Sequence, residues 1–60
     1  MYSIEYYDHD GLRTAALSLS ISLLDAVRVA EVRLREFQAS TWRIVQTADG
    51  KQVCTGGLRG

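Results

Sequence analysis

Cys54 and His9 are the only thiol and the only imidazole in the chain, so they are its one possible pair for nucleophilic catalysis. Such catalysis requires both groups within hydrogen-bond reach and a third group that orients the base. The sequence pattern places His9 at the tip of one hairpin and Cys54 inside a strand of another. We therefore expect an ordinary half-buried thiol at Cys54, no catalytic residues and no enzymatic activity.

A second group of possible ligands is the run Asp8-His9-Asp10, which a metal ion would need to gather within about 2 to 2.5 Å. Adjacent residues seldom converge in that way, whereas aspartate followed by glycine is typical of a β-turn. The run is followed by Gly11. We expect a turn here, with no metal and no cofactor, and the chain has no glycine-rich phosphate loop.

Arginine and tyrosine side chains could bind nucleic acid if they shared an open sheet face, because bases stack on aromatic rings and phosphates attract guanidinium groups. Arg13, Arg43 and Tyr7 are the candidates. The chain has seven basic and seven acidic residues and a formal net charge of +0, which removes the overall attraction for a polyanion. Nucleic-acid binding is therefore the alternative function and not the leading one.

The elements that position these residues belong to one small domain. Sixty residues, 47% of them hydrophobic and 23% charged, suit a single α+β domain spanning residues 1–60. The start of the chain has an early glutamate and no long apolar run, so we expect neither a secretory signal nor a membrane segment, and a cytoplasmic location. One cysteine allows no internal disulfide, so stability is marginal and association would increase it.

The first half of the chain has the pattern of a hairpin that leads into a helix. Alternation over residues 2–7 and 17–22, with Asp10-Gly11 between them, predicts two strands in which Tyr6 faces Ala15, Ile4 faces Leu17 and Tyr2 faces Leu19. Apolar spacing then changes to helical from about Leu23 to about Ala39, with Ser22 and Asp25 as a capping pair. An alternative is one long coiled-coil helix over residues 12–37.

The second half predicts another hairpin, over residues 41–47 and 52–55, which turns at Asp49-Gly50. With that dipeptide at the turn centre, Trp42, Ile44 and Val53 share the core-facing surface, while Val45 and Cys54 lie on the opposite one. Residues 56–60 have little side-chain mass, and we expect them to form a flexible tail.

The end of the chain, Thr55-Gly56-Gly57-Leu58-Arg59-Gly60, following hairpin, helix and hairpin, resembles the end of a ubiquitin-like protein or sulfur carrier. The resemblance implies a function through a terminal Gly-Gly carboxylate. This chain departs from the pattern because three residues follow Gly57 and the usual fifth strand is missing.

Together these patterns predict a β-β-α-β-β domain with one antiparallel four-stranded sheet, possible strand order 2-1-3-4, and one helix on one face. The other face stays open, which favours a small non-enzymatic interaction module that forms a homodimer or docks on a protein partner. The predicted dimer uses the outer sheet face or a sheet edge. The candidate interaction residues are Tyr7, Val45, Cys54 and Arg43 on the sheet, and Val29 and Val32 on the helix.

Overall fold

The computed structural model describes residues 1–57, which form two β-hairpins joined by a helix. The elements are β1 (Tyr2–Tyr7), β2 (Arg13–Leu19), α1 (Leu23–Arg33), β3 (Thr41–Gln46) and β4 (Gln52–Gly57). The strands form one antiparallel sheet in the order β2-β1-β3-β4. The predicted α+β fold and strand order are confirmed, and the long-helix alternative is wrong.

The first hairpin has the predicted facing pairs, although its turn differs from the simplest one. Tyr6 pairs with Ala15, and an irregularity beside it then pairs Tyr7 with Arg13. The Gly11 amide donates to the Asp8 carbonyl at 3.0 Å, and Gly11 has a φ of 82°. A turn followed by a left-handed glycine is the usual three-residue hairpin loop. The irregularity at Thr14, between the Tyr7 and Tyr6 pairs, then restores the predicted strand register.

Helix α1 begins as predicted and ends earlier than predicted. The Asp25 amide donates to the Ser22 hydroxyl at 3.2 Å, which caps the helix. The helix ends at Arg33, and a hydrogen-bonded segment over residues 34–38 follows. Gln38 has a φ of 52° and donates to the Arg35 carbonyl, while the Ala39 amide donates to the Leu34 carbonyl. This pair of hydrogen bonds is a Schellman motif. The turn that it closes explains why the helical spacing of apolar residues extends beyond the regular helix.

The core lies between α1 and the two central strands. Ala26 and Ala30 are fully buried, and their small side chains let the helix approach the sheet closely. Tyr6 is fully buried beneath the helix, and its hydroxyl lies 3.2 Å from the Ala30 carbonyl oxygen, to which it donates. Its ring centroid lies 4.9 Å from that of Phe37. The remaining buried core residues are Ile4, Leu34, Ala39, Trp42 and Ile44.

The second hairpin corrects the predicted register. The Gly50 amide donates to the Gln46 carbonyl, and the Gln46 amide donates to the Lys51 carbonyl, so the loop holds four residues, 47–50, instead of two. An irregularity after the Val45–Gln52 pair then shifts the pairing by one residue, so Cys54 pairs with Ile44 and packs against the core instead of lying on the predicted outer face. Val53, predicted to face the core, is the extra residue at a bulge and is 41% exposed. A one-residue shift exchanges the two faces of a strand.

The predicted tail of residues 56–60 is wrong for its first two residues. Gly56 and Gly57 are the end of β4 and pair with Trp42 and Thr41. The last three residues of the predicted tail lie outside the described part of the chain. Within residues 1–57, no helix has the length and apolar character needed to cross a membrane.

Candidate functional site

Glu5 organises the outer face of the sheet, the face away from α1. Its Oε1 accepts hydrogen bonds from the Tyr7 hydroxyl at 2.7 Å and from Arg43 Nε at 2.5 Å. Its Oε2 lies 3.6 Å from Arg13 Nη1. The Arg43 guanidinium carbon also lies 5.6 Å from the centroid of the Tyr7 ring. We call these four residues, Glu5, Tyr7, Arg13 and Arg43, the Glu5 cluster.

The electrostatics of the Glu5 cluster follow from these contacts. Hydrogen bonds from Tyr7 and Arg43 stabilise the carboxylate and lower the pKa of Glu5, against the opposing effect of burial. The hydrogen bond to Glu5 raises the pKa of Tyr7, since the tyrosine must keep its proton to donate it. The same carboxylate raises the pKa of Arg43. A negative charge therefore sits between the two arginines at neutral pH.

The structure brings together Tyr7, Arg13 and Arg43, the three residues considered for nucleic-acid binding. Sequence reasoning missed Glu5, which contacts all three. A phosphate approaching either arginine would compete with a carboxylate that is only 15% exposed and already paired. The arginine side chains remain 43% and 60% exposed. The Glu5 cluster is thus a mostly satisfied charge network on a partly open surface.

The other predicted interaction residues do not form one surface. Val45 is half-buried in β3, while Cys54 lies on the opposite, core-facing side of the sheet. Val32 is 77% exposed on α1, as expected of an outer helix position. Val29 differs from the prediction of an exposed residue, because it is half-buried and packs against the core. The predicted set is therefore divided among the outer sheet face, the helix exterior and the core side.

One helix cannot cover a sheet of four strands. A helix with its side chains is about 10 to 12 Å across, whereas the axes of four neighbouring strands span about 14 Å before their side chains are counted. α1 makes its main contacts with β1, β3 and β4. The edge strands β2 and β4 are consequently flanked by incompletely covered surface on the helix side.

The uncovered surface beside β4 is a groove of about 460 Å³ between that strand and α1. Its helix wall consists of Val27, Glu31 and Leu34, and its sheet side includes Trp42 and Cys54. Leu34 and Trp42 contribute apolar side chains to the groove, beside the polar groups of Glu31 and Thr55. Among the residues that line it, Glu31 carries the one ionisable carboxylate. We call this surface the α1–β4 groove.

The uncovered surface beside β2 is a row of apolar side chains. Ala15, Leu17 and Leu19 point to the helix side of the sheet and are half-buried, and Ile21 continues the row beyond the strand. On the outer side of the same strand, Ala16 and its neighbours are exposed. We call these four residues, Ala15, Leu17, Leu19 and Ile21, the β2 apolar row.

Sequence reasoning missed the α1–β4 groove because its walls depend on which face of β4 looks toward the helix. One signal was available in the positions of Val27, Glu31 and Leu34, which have the spacing of one helix face.

The acidic loop residue Asp8 behaves as predicted for a turn: its Oδ1 accepts hydrogen bonds from the amides of Asp10 and Leu12.

No protein family model, curated protein or solved structure matches this chain. The fold and the three surfaces therefore carry the functional argument.

Proposed function

We propose that this chain is a small non-enzymatic interaction module that forms a symmetric homodimer through the edge of β2. The observation that carries the proposal is the β2 apolar row, which the single helix leaves half-exposed along an unpaired strand edge. Unpaired edges present rows of free backbone donors and acceptors that another strand can satisfy. A second copy supplies both the missing strand and an apolar surface for the row.

The sequence of β2 suits pairing with itself in an antiparallel arrangement centred on Ala16. This register places Ala15 opposite the partner's Leu17 on the helix side, and Thr14 opposite the partner's Ser18 on the outer side. No charged residue lies between Arg13 and Leu19. Charges are the common means by which natural edge strands prevent pairing, and β2 lacks them over this span.

The sequence pattern leaves two surfaces for the dimer, the outer sheet face and a sheet edge. The edge of β2 is the more favourable of the two. The centre of the outer face is occupied by the Glu5 cluster, whose charges would lose water on association. β4 is the other edge strand, but it directs only Cys54 and Gly56 toward the helix side. A standard interface buries about 800 Å² on each partner, about a fifth of the 4158 Å² surface, so side chains as well as backbone must contribute.

The proposal includes a cytoplasmic location. Cys54 is a free thiol, and free thiols are maintained in reducing compartments. Association is also consistent with the small size of the domain, since mass action stabilises a marginal fold when only the folded state associates.

The test is the charge variant Ala16→Lys, which would place two like-charged side chains directly opposite each other at the centre of the dimer, with their Cβ atoms about 5 Å apart. Sedimentation equilibrium at about 100 μM should show a dimer for the parent and a monomer for this variant, with a lower, concentration-independent melting midpoint. Val53→Lys, an equal charge on the other edge strand, is the matched control and should remain dimeric.

Mixing provides the second arm of the test. Ala16→Lys combined with Ala16→Glu should restore the dimer, because opposite charges then meet across the strands. A parent protein that is monomeric at every concentration contradicts the proposal. A dimer that Ala16→Lys leaves intact and Val53→Lys disrupts would move the interface to β4.

A further inference from the structure

We infer that the α1–β4 groove binds an extended segment of a partner protein that carries an apolar residue and, two positions away, a lysine or arginine. This binding uses the opposite edge of the sheet from the proposed dimer and does not depend on it. The module would then have two separate interaction surfaces, one for itself and one for a different protein.

The backbone part of the recognition comes from the position of β4. β4 is the last strand of the sheet, so an incoming strand can extend the sheet by main-chain hydrogen bonds. Because side chains alternate along a strand, every second residue of the added segment points to the helix side, where Cys54 and Gly56 point. Those side chains enter the α1–β4 groove, and the intervening ones remain in solvent.

The shape of the groove selects the apolar residue. The Trp42 indole packs directly over Gly56 and forms the sheet side of the groove with it, and Leu34 and Val27 form the facing helix wall. A volume of about 460 Å³ accommodates an aliphatic side chain and part of its neighbours. Burial of such a side chain against apolar walls is the main source of affinity that the groove offers.

Charge complementarity selects the basic residue. Glu31 lies in the helix wall, is exposed, and forms no ion pair within residues 1–57. No lysine or arginine lines the groove in the described part of the chain. Two positions along an extended strand span about 7 Å, so a cation at that spacing remains on the helix side, where it can reach the carboxylate.

The experiment titrates capped heptapeptides that have threonine at every second position. Among the positions between the threonines, one is leucine, and the position two residues away from it is arginine, glutamine or glutamate. Both orders of the pair are used, since a strand can add in either direction, and each peptide is taken to about 1 mM. The readouts are the backbone amide shifts of residues 52–57 and the rate at which a thiol reagent modifies Cys54, the only cysteine.

The arginine peptide in one of the two orders should shift the β4 amides and slow Cys54 modification. The same peptide with glutamate should bind about three- to tenfold more weakly, because a partly exposed ion pair is replaced by a repulsion. Glu31→Lys should reverse that preference. Glu36→Lys, which reverses another exposed glutamate outside the groove, should leave it unchanged.

Three outcomes would overturn the inference: no peptide shifts the β4 amides, the shifts map to β2, or Glu31→Lys leaves the arginine preference intact. The Ala16→Lys monomer serves as a parallel sample. If a peptide binds that monomer, the groove binds its partner without the homodimer. If the parent is dimeric and binds no peptide, this inference fails while the homodimer stands.

Discussion

Replacement of Gly56 by alanine should destabilise the protein, although alanine is ordinarily the better residue in a strand. A Cβ atom at this position would lie 2.6 Å from Cζ2 and 2.9 Å from Cε2 of Trp42. Unbonded carbons prefer about 3.5 to 4.0 Å, so the ring or the strand must move by about 1 Å. Trp42 is 4% exposed and packed on the core, which leaves its ring little room to move.

Overpacking of this kind costs about 1 to 3 kcal/mol. In a domain of this size, each kcal/mol lowers the melting midpoint by about 4 to 8 °C. Thermal unfolding followed by far-ultraviolet circular dichroism at one fixed protein concentration measures the change. The concentration must be constant because association would shift the midpoint by itself.

A double-mutant cycle with Trp42→Phe assigns the loss to this contact. The smaller ring removes the atoms nearest to the new methyl group, so Gly56→Ala should cost much less in the Trp42→Phe background. A Gly56→Ala protein as stable as the parent would refute the packing of β4 beneath the indole. An equal loss in both backgrounds would show that the cost has another origin.

Glu5→Gln should lower stability at pH 7 by about 1 kcal/mol, since it weakens the hydrogen bonds from Tyr7 and Arg43. Because the folded-state pKa of Glu5 lies below the ordinary 4.5, this loss of stability is present above pH 4.5 and disappears as the pH falls through the folded-state pKa. Urea titrations at several pH values measure the free energy of unfolding of both proteins. A difference that stays constant with pH would contradict the role given to the Glu5 carboxylate. Leu34→Ala should cost about 2 to 5 kcal/mol and unfold a domain this small, so a variant that melts within a few degrees of the parent would show that the core is misassigned. Labelled oligonucleotides should show no salt-sensitive binding between about 50 and 200 mM salt by fluorescence anisotropy, because Glu5 already pairs with the arginines; micromolar binding that Arg43→Glu abolishes would favour the nucleic-acid alternative.

The predicted elements were correct where local pattern and turn chemistry agree. Alternation in residues 2–7 and helical spacing after Ser22 each specify an element from a few neighbouring side chains, and the first hairpin keeps its facing pairs through a bulge. Ser22 capping was predictable for the same reason, because the bond to Asp25 joins residues three apart. The apolar period to Phe37 also correctly indicated a continuing turn, although the regular helix ends at Arg33.

The faces of β4 were decided by the tertiary structure. An Asp-Gly pair predicts a turn, and loops of two and four residues leave the same side chains on each face, but the bulge at Val53 shifts the pairing by one residue and moves Cys54 to the core side and Val53 out of it. The choice depends on Trp42, whose indole requires a residue without a side chain opposite it, and Gly56 fills that position. The Glu5 cluster and the α1–β4 groove likewise join residues distant in the chain. Local sequence therefore determined which segments are strands and helix, whereas packing across the sheet determined which side chains meet. The physical reason is that alternative registers differ in the apolar volume they bury, and that volume depends on contacts between distant residues.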